Sequence, residues 1–342
     1  MHDIARLTER INEMSRGFQQ SATLYTAVEA DVFAHFAHGP KTAAEIAKAL
    51  GWDPRGTRIF LDALVALEIL EKSGEHYANS VSAEMCLVPG SPGYQGNLIK
   101  HQRSGYLNWL HMDEALRTGR AVTQDEDEQT PEDRRNFKPD ELRNFILGMS
   151  DIARMSAQHI LDAVDLSPYR RLLDVGGGPG TYGIAFLDRH AQMSATLFDR
   201  PEVVEIAREQ VCAAGLTERF AYIPGDFMLD PMGGGYDLVL LSNIIHSYGP
   251  ENNRKLVKKC FDALEPGGLL VLKDFIVEED RSGPPFSLLF ALHMLIHTGE
   301  GDTYTYNEVA SWTDAAGFGP GRAVDITPQS RLWLAEKPGA AT

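Results

Sequence analysis

The segment Leu172-Leu-Asp-Val-Gly-Gly-Gly-Pro-Gly-Thr181 is an apolar run that closes on a carboxylate and passes through four glycines and a proline into a helical stretch. Strand, tight glycine turn and helix open an α/β layer, because glycine reaches positive φ and lets the backbone approach a ligand closely. Downstream, apolar runs at 195–198, 220–223, 236–241 and 268–274 alternate with helical stretches. Strands that alternate with helices pair in parallel, so the chain from 166 to 342 is expected to form a Rossmann-like, doubly wound α/β sheet. Ligands of such sheets lie at the carboxyl ends of the strands.

Spacing alone leaves two ligands open. Gly178-Pro-Gly180-Thr-Tyr-Gly183 satisfies the dinucleotide pattern, and Asp199 ends the next strand, where a ribose hydroxyl is read in either case. Asp174 separates them. It stands two residues before Gly176, where a pyrophosphate would be repelled, whereas S-adenosylmethionine (SAM) offers a cationic amino acid end that a carboxylate can bond. Gly225-Asp226-Phe227 after the third strand pairs a polar side chain with an aromatic face suited to adenine. A dehydrogenase would also need a nicotinamide pocket and proton relay, which no motif here supplies.

Methyl transfer from a sulfonium is an in-line displacement, so the protein must supply proximity and a deprotonated acceptor rather than a nucleophile. Ser242-Asn-Ile-Ile-His246 lies just past the fourth strand, and a neutral imidazole there can take a phenol or enol proton. In Phe290-Ala-Leu-His-Met-Leu-Ile-His297, His293 and His297 share one helical face at a spacing that can bind metal, but no local carboxylate or cysteine completes the set. No metal is expected, and Met294, His297 and Thr298 are read as acceptor-pocket residues together with His293.

The N-terminal part is of another kind. Apolar positions at helical spacing over 1–36 read as two amphipathic helices; Thr42-Ala-Ala-Glu45 is a capping box, Gly51 to Gly56 a turn, Thr57 to Leu67 a helix, and Lys72-Ser-Gly-Glu75 a hairpin turn. That order is a winged-helix pattern, which raises a DNA-binding regulator as the competing function. Residues 41–80 hold five basic residues (Lys41, Lys48, Arg55, Arg58, Lys72) against six acidic ones, and the whole chain carries −16, so its field opposes a phosphate backbone. Dimerisation is the better use of this domain. Residues 119–141 are acidic and polar and read as a solvated linker. Cys86, Cys212 and Cys260 give neither a disulfide framework nor a zinc site, and no apolar run is long enough to span a membrane. A soluble, cytoplasmic protein is expected.

Leu264-Glu-Pro-Gly-Gly-Leu-Leu-Val-Leu-Lys-Asp274 has the helix stop, turn and buried strand that SAM-dependent methyltransferases place before their fifth strand. With Phe145-Ile-Leu-Gly-Met-Ser-Asp151, the glycine loop, Phe198-Asp-Arg-Pro-Glu-Val-Val-Glu205, the Asp226 turn and Ala315-Ala-Gly-Phe318 in the same order, the chain resembles the SAM-dependent O-methyltransferases of the plant caffeate and bacterial polyketide or phenazine type over nearly its whole length. The resemblance implies a mostly helical winged-helix dimerisation domain at 1–100, a helical linker and pocket region at 101–165, and a SAM-binding domain at 166–342. It implies a homodimer and a small-molecule acceptor, with no role for nucleic acid or membrane.

Residue by residue, the resemblance implies that Asp174, Gly176, Gly178 and Gly180 form the cofactor loop. Asp199 would bind the ribose, with Arg200 beside it, Asp226 and Phe227 the adenine, and Ser242 would stand near the cofactor where plant members often carry lysine. His246 would be the general base and Asp274 its orienter. Thr303 takes the place of the family's second acid, leaving Glu300 or Asp302 as substitutes, and Ser247 and Tyr248 replace the aspartate and tryptophan of plant members. Met149 and Trp109 match pocket positions. Alternatives within the resemblance are a C-methyltransferase of a tetrapyrrole whose metal His293 ligates, and a SAM-binding member without O-methylation.

Overall fold

The structure, a computed structural model, describes residues 2–91, 93–122, 139–327 and 329–339. The core of the linker expected over 119–141, with its acidic run at 125–128, lies outside the described residues. The chain divides into two compact units, Met1–Ser104 and Gly105–Thr342. Among the described residues no helix is long and apolar enough to cross a membrane.

The first unit opens with α1 (His2–Glu29). Two helices are expected over 1–36, but nothing between Phe18 and Leu24 stops the first. The break comes later, where Asp31 takes φ 49° and Val32–Phe36 forms a short 3₁₀ turn. β1 (Lys41–Thr42) leads into α2 (Ala43–Leu50), which Thr42 and Glu45 close with the expected reciprocal cap. Such a cap is worth about 1 kcal/mol. The next helix, α3 (Pro54–Ala66), starts three residues before the expected Thr57. Asp53 caps it by accepting from the Gly56 N–H, so the glycine taken for a turn lies in the first helical turn. β2 (Leu70–Ser73) and β3 (His76–Asn79) form the expected hairpin, with β1 paired on β3, and α4 (Val81–Cys86) and α5 (Gly96–Gly105) follow. Phe33, Ile46, Leu61, Leu64 and Tyr77 fill the core. Ile4, Leu7, Ile11, Met14 and Phe18 stand 51–71% exposed along α1.

The second unit begins with α6 (Met112–Thr118) and α7 (Pro139–Ala163). Strands and helices then alternate: β4 (Arg171–Val175), α8 (Thr181–Arg189), β5 (Ser194–Asp199), α9 (Pro201–Ala213), β6 (Phe220–Pro224), β7 (Tyr236–Ser242), α10 (Pro250–Ala263) and β8 (Leu264–Asp274). The chain closes with α11 (Pro285–His297), α12 (Tyr306–Ala316), β9 (Arg322–Asp325) and β10 (Arg331–Glu336). The sheet order is β6-β5-β4-β7-β8-β10-β9. Five strands are parallel as expected, but β10 runs antiparallel to both β8 and β9, so the sheet is mixed.

Strands buried on both faces are apolar at nearly every position. Leu172, Leu238, Leu240 and Val271 pack into one core, and Leu173, Val239, Leu241, Leu270 and Leu272 into the other. The chain moves outward from β4 through β5 to β6, then returns to the other side of β4 at β7. That reversal opens a crevice above the carboxyl ends of β4 and β7, the topological switch point of such sheets.

Candidate active site

Asp174 ends in the crevice with its side chain turned under the glycine loop. A Cβ on Gly177 would lie 2.8 Å from its carboxyl group, so only glycine fits there. Gly176, Gly178 and Gly180 all take positive φ (64°, 56° and 80°). Oδ2 of Asp174 is buried without a hydrogen-bond partner among the described residues. Burial, and then the Asp199 carboxylate nearby, push Asp174 up to about 7. Asp199 is buried as well: Oδ2 accepts from the Gly178 N–H at 2.8 Å and Oδ1 from the Arg200 N–H at 2.8 Å. Burial raises its carboxyl above the usual range, against those two N–H groups, which lower it. The Arg200 side chain points to Glu202, 3.5 Å away.

After β6, Asp226 Oδ1 accepts from the Met228 N–H at 2.8 Å, and Asp230 Oδ2 accepts from the Asp226 N–H at 2.8 Å. This turn presents Phe227 toward the glycine loop: a Cβ on Gly176 would meet Ile244 at 2.5 Å and the Phe227 ring at 3.4 Å. Ser242 pairs with Lys273 on the neighbouring strand, and its hydroxyl is buried without a partner among the described residues. Lys273, which the sequence does not single out, is fully buried and donates to Asn243 Oδ1 at 3.0 Å, where Asn243 turns the chain at φ 57°.

That turn delivers His246. Its Nδ1 lies 2.7 Å from Asp274 Oδ1, which also accepts from the Phe275 N–H. A carboxylate on Nδ1 selects the tautomer with its proton there and leaves the lone pair on Nε2. The ring stacks on Phe275 at 5.9 Å and meets Phe290 edge-on at 4.9 Å. From Phe290 the aromatic wall continues through His293 (5.5 Å) to His297 (4.1 Å), with Trp109 6.1 Å from His293. His297 Nδ1 donates to the His293 carbonyl, as helical i, i+4 neighbours can. Both Phe275 and Phe290 touch the base; Phe290 opens the run Phe290–His297 read as the acceptor wall, whereas Phe275, an apolar letter in an apolar run, carries no sequence signal.

The loop after α11 packs on the base from the other side. Thr298 is buried, donating to the Met294 carbonyl and accepting from the Gly301 N–H, so it ends the helix and shapes the loop; Met294 is buried beside it. A Cβ on Gly301 would come within 2.5 Å of the His246 carbonyl oxygen. Glu300 accepts from Asn252, while Asp302 accepts from the Thr303 N–H and lies 3.8 Å from Arg281. Neither carboxylate is bonded to His246 in this arrangement. Thr303 is buried with its hydroxyl unbonded among the described residues. Met149, on α7, is half-buried; its neighbour Ser150 bonds Thr181 at the start of α8. No group of three or more His, Cys, Asp or Glu residues that could hold a metal ion occurs among the described residues.

A family model described as an O-methyltransferase domain matches residues 109–319, and one described as an O-methyltransferase dimerisation domain matches 12–89. The 3-hydroxy-5-methyl-1-naphthoate 3-O-methyltransferase of Streptomyces sahachiroi is 35% identical over 92% of this chain and 90% of its own. The tetracenomycin polyketide synthesis 8-O-methyl transferase TcmO of Streptomyces glaucescens is 31% identical over 96% of each. Human N-acetylserotonin methyltransferase, solved in complex with SAM, superposes with a TM-score of 0.88 at 27% identity, covering 97% of this chain and 98% of that one.

Proposed function

This chain belongs to the SAM-dependent O-methyltransferase family, and on that premise we propose that it methylates a hydroxyl of a planar, polyketide-type aromatic acceptor with His246 as general base. The observation that carries the reading is the His246–Asp274 pair at 2.7 Å, set in an aromatic wall at the sheet's switch point.

The residues at the crevice fit the cofactor. An unbonded buried carboxylate oxygen on Asp174 suits a cationic ligand, and three glycines at positive φ leave the space above the loop clear. Asp174 and the loop would hold its amino acid end, Asp199 the ribose, and Asp226 with Phe227 the adenine; Arg200 and Ser242 flank them. SAM bound there supplies an electrophilic methyl group on a sulfonium.

The chain's own part is to place the acceptor and remove its proton. The joined rings of Phe275, Phe290, His293, His297 and Trp109 suit a flat acceptor, and Met294 and Met149 are assigned to the same pocket. Nε2 of His246 takes the hydroxyl proton, and Asp274 stabilises the imidazolium that results. Withdrawing the proton as the oxygen attacks avoids a free phenolate in an apolar site. The acceptor class is supported by the two bacterial relatives, one named for a hydroxynaphthoate and the other for 8-O-methyl transfer in tetracenomycin polyketide synthesis.

The matched dimerisation domain supports a homodimer, and the exposed apolar stripe from Ile4 to Phe18 on α1 is the surface we assign to the second copy. The test of the activity is incubation of the protein with SAM and a series of hydroxynaphthoates and hydroxyanthracenes. Transfer to oxygen supports the reading; SAM binding without transfer to any hydroxyarene removes it.

A further inference from the structure

His246 sits in a one-turn 3₁₀ segment, Ile245–Ser247, that has too few internal bonds to hold a shape by itself. Asn253, in the first turn of α10 and fully buried, reaches into it. Its Nδ2 donates both protons, to the Ile245 carbonyl at 2.9 Å and the Tyr248 carbonyl at 2.9 Å. These carbonyls bracket His246. The amide cannot be turned over, because Oδ1 would then face two carbonyl oxygens. Oδ1 itself is left buried without a partner among the described residues, a cost set against the two bonds that Nδ2 makes.

Six residues along the same helix, Lys259 reaches a different loop. Its ammonium donates to the Phe227 carbonyl and to the Asp230 carbonyl, in the turn that follows Asp226 and carries Phe227. One helix therefore grips the loop of the base with one side chain and the adenine-side turn with another.

We propose that α10 is the positioning element of the site, with Asn253 setting the direction of the His246 ring and Lys259 setting the height of the Phe227 face above the glycine loop. The inference rests on reading His246 as the base and Phe227 as part of the cofactor site. Asp274 anchors only one end of the imidazole. The ring's origin at Cα is set by the peptides that Asn253 holds, assisted by the Tyr304 hydroxyl on the Tyr248 carbonyl (2.5 Å) and the Asp302 N–H on the His246 carbonyl (3.0 Å). Methyl transfer needs near-linear approach, so a base displaced by about 1 Å costs on the order of 10²-fold in rate.

The experiment pairs Asn253→Ala with Lys259→Met and reads kcat, the KM for SAM, and the dissociation constant for S-adenosylhomocysteine (SAH). Asn253→Ala is expected to lower kcat by on the order of 10-fold or more, keep SAH affinity within about twofold, and move the acid limb of the kcat–pH profile as the hydrogen bond to Asp274 loosens. Asn253→Ser, which keeps one donor, recovers part of the loss. Lys259→Met is expected to weaken SAH several-fold, with the loss falling on the KM for SAM.

Wild-type kcat in Asn253→Ala, or the same parameter lost equally in both variants, overturns the assignment. Should Asn253→Ala not fold, Asn253→Ser is expected to show the same split in smaller measure, a lowered kcat with SAH affinity kept, and a wild-type kcat there overturns the assignment. Should the wild type itself transfer no methyl to any acceptor, the activity reading fails separately: SAH affinity still decides Lys259, and the His246 imidazole resonances in Asn253→Ala still decide Asn253. Unmoved resonances would sink the Asn253 assignment.

Discussion

The two halves of the crevice are built by different means. On the cofactor side, backbone does the shaping: glycines at positive φ, N–H groups bonded to Asp199, and an Asp226 turn closed on its own main chain. On the acceptor side, side chains from separate stretches converge on one imidazole: Asp274 from β8, Phe290 from α11, Asn253 from α10, and the Gly301 loop. Backbone shaped by contiguous residues tolerates change elsewhere in the chain, whereas a convergent cluster can be retuned for a new acceptor one side chain at a time. A family that keeps one cofactor and varies its acceptors would use this division of labour.

The comparison breaks if substitutions on the two sides lose the same parameter. The largest effect is expected at Asp274→Asn, where loss of the carboxylate frees the wrong tautomer and lowers turnover by on the order of 10²-fold or more while SAH affinity holds; steady-state kinetics beside calorimetry check it. Asp199→Ala is expected to do the reverse, weakening SAH by roughly 10- to 10²-fold with a smaller change in kcat at saturating SAM.

Next comes pH. With Asp174 pushed up to about 7 in the cofactor-free protein, a cationic ligand binds better when that carboxyl is ionised and displaces its proton. SAM affinity should therefore rise as pH goes from 6 to 8 and level off above, by at most about tenfold per unit below the pKa. SAH carries the same ammonium at its amino acid end and should rise in parallel; affinities that stay flat from pH 6 to 8 would remove Asp174 from the cationic end. The smallest effect is expected at Gly301→Ala, whose methyl meets the His246 carbonyl and should lower kcat a few-fold without touching SAH affinity.

What the sequence made legible follows the same line. Asp174, the three glycines, Asp199 and the Asp226 turn are read from contiguous motifs because their geometry is local, and each stands at the crevice. His246 and Asp274 are legible through family resemblance, which supplies a pairing across 28 positions that spacing alone does not. Phe275, Asn253 and Lys259 are not legible, while Phe290 is legible only as the start of the run Phe290–His297. An apolar residue in an apolar run reads as core, and an asparagine and a lysine in a polar helix read as solvated surface, until the fold shows which loop each one holds. The fold's departures also have local causes. Gly56 reads as a turn until Asp53 caps the helix through it, and the edge strand Arg322–Asp325 is too exposed to show alternation. The antiparallel end of the sheet was therefore invisible in the pattern of strands and helices.

The central claim is that the imidazole of His246 removes the acceptor's proton beside a bound SAM. The most direct measurement is single-turnover transfer of a labelled methyl group from SAM to a hydroxynaphthoate by the wild type and by His246→Ala, at matched cofactor occupancy. The account predicts label on oxygen and a rate on the order of 10²-fold or more lower in the variant, with SAH affinity unchanged. Equal rates, or label on carbon, would contradict it.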